Sequence, residues 1–144
     1  MKAFWDTNLF VYLWEDSDWS HTTRRLADRI VEGGHSLTTS ALTMGELLVR
    51  PLRLGRRAVA ENYRRALERL DPIPFGPGEA RLFAQLRAQD GGLRAPDAMQ
   101  LACAAGAGCE LFFTNDDRLS RVRVQGIGRV VALADWSPAL LSGN

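Results

Sequence analysis

The sequence predicts an α/β fold, a three-layer sandwich in which a short central parallel sheet is flanked by helices. Two observations point there. Short strand-like runs alternate with longer segments of helical periodicity, the order that places helices on both faces of a parallel sheet. Glycines and prolines fall between these segments, with no internal repeat or low-complexity linker, so 1–144 reads as a single domain. A chain of 144 residues, 46% apolar and 24% charged, can bury one substantial core and is unlike disordered, collagen-like or coiled-coil sequences.

Lys2–Trp5 reads as a buried strand ending at Asp6. From Thr7 to Trp14, Leu9, Phe10, Leu13 and Trp14 recur at helical spacing. Ser20 is placed to cap a helix to about Glu32, with Leu26, Ile30 and Val31 inward and Gly33-Gly34 ending it. Ser36–Thr39 is a second strand. Ser40 caps a helix through about Val49, stopped near Pro51. A further helix, Arg56–Leu70, turns Val59, Tyr63, Ala66, Leu67 and Leu70 to one side and its arginines to the other. Ile73–Phe75 is a candidate third strand. Pro77 and Gly78 open a helix to about Asp90, which Gly91-Gly92 break, and Pro96 opens another spanning Asp97–Ala107. Leu111–Thr114 is the clearest strand and Val130–Ala132 the last.

The longest apolar runs are under ten residues, where a membrane helix needs about 20, and Asp6 comes too early for a signal peptide. Cys103 and Cys109 make neither a disulfide framework nor a zinc site. A cytoplasmic protein with reduced thiols and no membrane association is the expectation. The net charge of +1 conceals a bias, because Lys2 is the only lysine and seven arginines face two glutamates between Arg50 and Arg69. A solvated helix face would account for that segment. A nucleic-acid or acidic-partner surface is the sharper reading, since guanidinium forks match phosphate geometry. Of these arginines, Arg50, Arg53, Arg56 and Arg57 follow the Ser40 helix and are the candidates for RNA contact, with Arg64, Arg65 and Arg69 solvated.

Four acids stand in places that ask for an explanation. Asp6 directly follows the first strand, and Asp116 follows Leu111–Thr114 with only Asn115 between. In parallel sheets, ligands bind outside the carboxyl ends of the strands. Asp97 opens a helix, where free amides favour a carboxylate. Glu46 sits in an apolar stretch, flanked by Leu47 and Leu48. Each has a cap, turn or surface explanation taken alone; the set is harder to dismiss. Carboxylates gathered together raise one another's pKa, and a divalent cation removes that penalty. Oxygen donors without His or Cys suit Mg²⁺ or Mn²⁺, which can activate a water toward a phosphodiester. Asp6, Asp97 and Asp116 are expected within reach of one cation, with Glu46 at the same pocket directly or through water. His21 and His35 lie outside this set, so a histidine acid/base mechanism finds little support.

In this order, Phe4-Trp5-Asp6-Thr7-Asn8, Met44-Gly45-Glu46-Leu47-Leu48, Ala95-Pro96-Asp97-Ala98-Met99-Gln100-Leu101-Ala102 and Phe113-Thr114-Asn115-Asp116 resemble the PIN-domain family, and within it the small VapC-type toxin ribonucleases. The resemblance covers nearly the whole chain. It implies a metal-dependent endoribonuclease of a toxin–antitoxin pair that cuts RNA at an acidic Mg²⁺ or Mn²⁺ pocket. Asp6, Glu46, Asp97 and Asp116 match the family's acidic quartet. Thr7, Asn8, Thr114 and Asn115 fall beside it, where such residues orient the acids or a metal-bound water; turn and cap chemistry would explain them equally. A small antitoxin that blocks the pocket and a homodimeric state are implied by the resemblance only. Leu119 stands where many members carry Phe, an apolar exchange.

A haloacid dehalogenase-type phosphatase would need a second Asp where Asn8 stands, and a response-regulator receiver would need a Lys after a late strand. A PIN-like module that binds RNA or protein without catalysis is the remaining alternative, and an intact quartet disfavours it.

Overall fold

In the computed structural model, which describes residues 1–142, β1 (Lys2–Trp5), β2 (Ser36–Thr38), β3 (Leu111–Thr114) and β4 (Arg129–Ala132) form one parallel sheet in the order β2-β1-β3-β4. Successive strand residues point to opposite faces and feed two separate cores. Ala3, Trp5, Leu111, Phe113 and Val131 face one layer, built from α1 (Thr7–Trp14), α2 (Ser20–Glu32), α3 (Ala41–Arg53) and α4 (Arg57–Glu68). Phe4, Phe112 and Val130 face the other, built from α5 (Pro77–Gln89) and α6 (Ala95–Gly106). There the rings of Phe4 and Phe112, neighbours in register, stack 4.9 Å apart. The three-layer α/β sandwich is the architecture expected.

Several local expectations need correction. Ile73–Phe75 is not a strand among the described elements; Ile73 makes a single parallel bridge to Ser40. The helix after Ser40 does not stop near Pro51 but runs through it to Arg53. Proline removes the donor for a carbonyl one turn back, at a cost of about 3 kcal/mol in a helix interior. Burial of Pro51 and the bond from Arg56 N–H to its carbonyl (2.8 Å) offset this. Ser20 is the first residue of α2 rather than its cap; its hydroxyl donates to Glu15 O (2.8 Å). Val31, expected inward, is 77% exposed, because the buried stripe of α2 is Thr23, Leu26 and Ile30. Val59 is likewise on the outer side of α4, where Ala60 and Leu67 are buried. Cys103 and Cys109 are free and buried, and burial pushes both thiols up to about 11. Among the described residues no helix is long and apolar enough to cross a membrane.

The topology sets where a site can form. From β1 the chain first goes to β2 on one side, then returns to β3 on the other. Strand order therefore reverses between β1 and β3, and a crevice opens outside their carboxyl ends.

Two glycines test the backbone's tolerance. A Cβ on Gly128, just before β4, would stand 2.5 Å from the Glu110 carbonyl oxygen, whereas one on Gly45 of α3 would meet open space. In urea denaturation, Gly128→Ala should cost about 1–3 kcal/mol. Gly45→Ala should add about 0.5–1 kcal/mol by removing unfolded-state freedom.

Candidate active site

The crevice at the reversal point is where the acids meet. Asp6 leaves β1 with its N–H bonded to Phe113 O of β3 (3.0 Å), which aims its side chain outward at the sheet edge. The carboxylate caps α1, with Oδ1 accepting from Thr7 N–H at 2.8 Å and Oδ2 from the Thr114 hydroxyl at 3.0 Å. Asp116 follows β3; its N–H donates to Thr114 Oγ1 (3.1 Å) and its Oδ1 accepts from Arg118 N–H (2.9 Å). Asp97 lies in the first turn of α6, and Glu46 lies on α3, 3.4 Å from the Thr7 hydroxyl that donates to it. Asp6, Glu46, Asp97 and Asp116 line one cavity of about 250 Å³, together with Thr7, Asn8, Arg94, Pro96 and Gln100.

The polar neighbours divide. Thr7 and Thr114 bond the acids directly, and Asn8 lines the cavity. Asn115 turns instead to α1, donating to Tyr12 Oη at 3.0 Å. Two contributors were not singled out from the sequence. Gln100, 2% exposed on α6, reaches Asp6, Thr7, Thr43 and Ser40 at once. Its signal was a lone amide among the apolar Ala98, Leu101, Ala102 and Cys103. Arg94, just before α6, pairs with Asp97 (3.1 Å) and reaches toward Asp116 (4.0 Å), which Arg118 also approaches (3.5 Å).

Electrostatics follow from this packing. Burial raises the Asp6 carboxyl above its ordinary range, and the nearby Asp97 charge adds to the rise, against the lowering bonds from Thr7, Thr114 and Gln100. Burial also raises Glu46, helped by the charges of Asp6 and Asp97. Burial opposes ionisation of Asp116 too, but the Arg118 amide and guanidinium and the Leu119 amide outweigh it and hold that carboxyl low.

The donor set fits a hard cation. Among the described residues, no three His, Cys, Asp or Glu side chains are gathered tightly enough to ligate a single ion, so the acids ring the cavity rather than close on its centre. The Arg94 guanidinium stands between Asp97 and Asp116, where like charges otherwise repel. An oxygen-only set with room for water is what Mg²⁺ accepts, since it keeps several waters beside one or two carboxylates.

The candidate RNA-contact arginines are placed unevenly. Arg50 and Arg56 line a groove of about 640 Å³ that meets the acidic cavity at Glu46 and also takes in Trp14 and Tyr63, whose rings stack 4.6 Å apart. Arg50 lies 3.5 Å from Glu15. Arg53 and Arg57 are exposed nearby but do not line the groove. Arg64 is clamped by Glu61 and Glu68, and Arg65 pairs with Glu61.

The parallel α/β sandwich with acids at its strand-order reversal can be set beside known proteins, and the comparison agrees with the fold. Residues 3–125 match the PIN domain model, and the chain belongs to the PIN domain family. Among solved structures, a chain of VapBC2 from Rickettsia felis, bound to a promoter DNA fragment, superposes with a TM-score of 0.72 at 17% identity, covering 95% of this chain and 100% of that one. A toxin–antitoxin complex from Klebsiella pneumoniae gives 0.66 at 21% identity, covering 87% and 94%. VapBC-5 from Mycobacterium tuberculosis, of the VapBC family of toxin–antitoxin systems, gives 0.57 at 21%, covering 91% and 98%. No curated protein matches the sequence.

The raised acids make a signed prediction. A carboxyl that binds its proton more tightly when folded loses stability for the fold as pH rises above its unfolded value, 3.8 for Asp6 and 4.5 for Glu46. At pH 7 without metal, Asp6→Asn should therefore melt at or above the wild-type temperature, and the advantage should vanish below about pH 4. Mn²⁺ at 100 times its Kd should stabilise the wild type by about 2.7 kcal/mol. The variant should lose most of that gain; equal gains in thermal melts would place the metal elsewhere.

Proposed function

We propose that this chain is a VapC-type toxin of a toxin–antitoxin pair: a metal-dependent endoribonuclease in which 1–144 act as one PIN domain. It hydrolyses RNA phosphodiester bonds in the cytoplasm. The observation that carries the reading is the meeting of Asp6, Glu46, Asp97 and Asp116, from four separate segments, at one cavity in the crevice between β1 and β3. In this reading Asp6, Asp97 and Asp116 would hold Mg²⁺ or Mn²⁺ between them, one or two directly and the rest through its waters, with Glu46 joining directly or through water. When bound, such an ion would supply an activated water and offset charge on the leaving oxygen.

The chain's own groups do the rest. Thr7 N–H and the Thr114 hydroxyl fix both oxygens of Asp6, so this carboxylate is presented in one orientation. Glu46, at the cavity mouth with a raised pKa, is suited to accept a proton at its carboxylate as water attacks. Arg94 is suited to leave its acids for the substrate phosphate. RNA would enter along the groove of Arg50 and Arg56, with the exposed Arg53 and Arg57 extending the basic surface. The three structural neighbours come from toxin–antitoxin systems, which supports a small cognate antitoxin as partner. A homodimer is proposed on the family resemblance. The alternative, a binding module without catalysis, would not need four acids at one cavity.

The test is incubation of total RNA with the protein in Mg²⁺, in Mn²⁺ and in EDTA. Cleavage with either metal, absent in EDTA and in Asp97→Asn, is expected; cleavage that survives EDTA would sink the reading. RNA bound by Asp97→Asn should weaken as salt rises, and adding Arg50→Ala with Arg56→Ala should flatten log affinity against log salt by about 0.7 for each lost phosphate contact. An unchanged slope would move the RNA path away from this groove.

A further inference from the structure

We propose that Gln100 is a positioning residue of this site: its amide sets the direction of a hydroxyl chain that ends on Glu46 and at the same time steadies Asp6. The inference rests on the nuclease reading above and adds a residue to it.

An amide has one accepting and one donating end, and here each is committed. Oε1 accepts from the Ser40 hydroxyl, whose oxygen caps α3 by accepting from Thr43 N–H at 3.2 Å. Nε2 donates to Thr43 Oγ1 at 2.7 Å. Thr43 Oγ1 lies 3.0 Å from Thr7 Oγ1, and the Thr7 hydroxyl lies 3.4 Å from Glu46 Oε1. Because the Thr43 oxygen receives a proton from Gln100, its own proton is directed at Thr7, and that of Thr7 at Glu46. The second N–H of Gln100 faces Asp6 Oδ1 at 3.3 Å and Thr7 Oγ1 at 3.2 Å. Every step of the chain hands a proton toward a carboxylate.

The residue also joins three of the four segments that carry the acids. Ser40, Thr43 and Glu46 belong to α3 and its cap, Asp6 and Thr7 to the β1–α1 junction, and Gln100 to α6, one turn after Asp97. A buried amide without such partners is costly, and this one is 2% exposed. An apolar residue would fill the space at α6 but would leave the hydroxyls free to turn.

Gln100→Met keeps size and removes both ends of the amide. It should weaken Mn²⁺ binding, read by electron paramagnetic resonance well below the melting temperature, by about 10–100-fold. RNA cleavage should lose kcat by a similar factor while KM holds. Thr43→Val, which breaks the chain one link on, should shift Mn²⁺ affinity in the same direction. The double variant should lose no more than the larger single loss, since both act in one chain. If Gln100→Met does not fold, Thr43→Val carries the test alone. In the metal-free protein, the Gln100 side-chain amide protons should exchange slowly by NMR, a result independent of activity. Unchanged Mn²⁺ affinity in folded variants, additive losses, or a rapidly exchanging amide would overturn the proposal while leaving the nuclease reading intact. A wild type that neither binds Mn²⁺ nor cleaves RNA would overturn that reading and this proposal with it.

Discussion

A carboxylate at the buried end of the first strand is the constraint around which this molecule is arranged. Ala3, Phe4 and Trp5 have no exposed surface, and Asp6 follows them directly. Its charge must be met by hydrogen bonds or neutralised. The fold meets it from three directions: the first amide of α1, the Thr114 hydroxyl from β3 and the Gln100 amide from α6. Those partners bring Glu46, Asp116 and Asp97 to the same cavity. Satisfying one acid thus assembles the others, and their repulsion is the cost that Arg94 and Arg118 partly offset.

How much of this could be read from the sequence follows from how local each signal is. Three of the four acids are legible because they mark element boundaries, Asp6 and Asp116 just after strands and Asp97 at the start of a helix, while Glu46 stands out as a charge inside an apolar stretch. The sheet is legible because Leu111–Phe113 and Ala3–Trp5 are apolar on both faces. Pro51 misleads because a helix stop is a local rule, while burial of that proline is a tertiary fact. Val31 misled for the same reason: its neighbour Ile30 took the inward position, and 3.6-residue periodicity cannot serve both. Gln100 escaped because its partners lie 57 to 94 positions away in the chain. Nothing in its own segment says what an amide there would bind.

The arginines show why composition alone cannot locate a surface. Seven lie between Arg50 and Arg69, yet their surroundings differ sharply. Arg64 is engaged by two glutamates of its own helix, and such exposed pairs contribute little to stability. Arg50 and Arg56 instead border the groove that opens onto Glu46. Arg94, outside the cluster, is the arginine closest to the chemistry proposed here, because a cation between two acids can be exchanged for another.

The pairing of β1 with β3 has a consequence in time. Ala3 pairs with Leu37 of β2 on one side, but its partner on the other is Leu111, so the central ladder of the sheet closes between distant parts of the chain. Such long-range parallel pairing is slow, because a large loop must close before it is rewarded. On a ribosome, the first strand emerges long before β3 exists, and Asp6 waits without Thr114 or Gln100. The acidic pocket is therefore a late product of folding, absent from every nascent chain that has not yet reached Asp116. A polypeptide with this topology has no complete pocket to use while it is still being made.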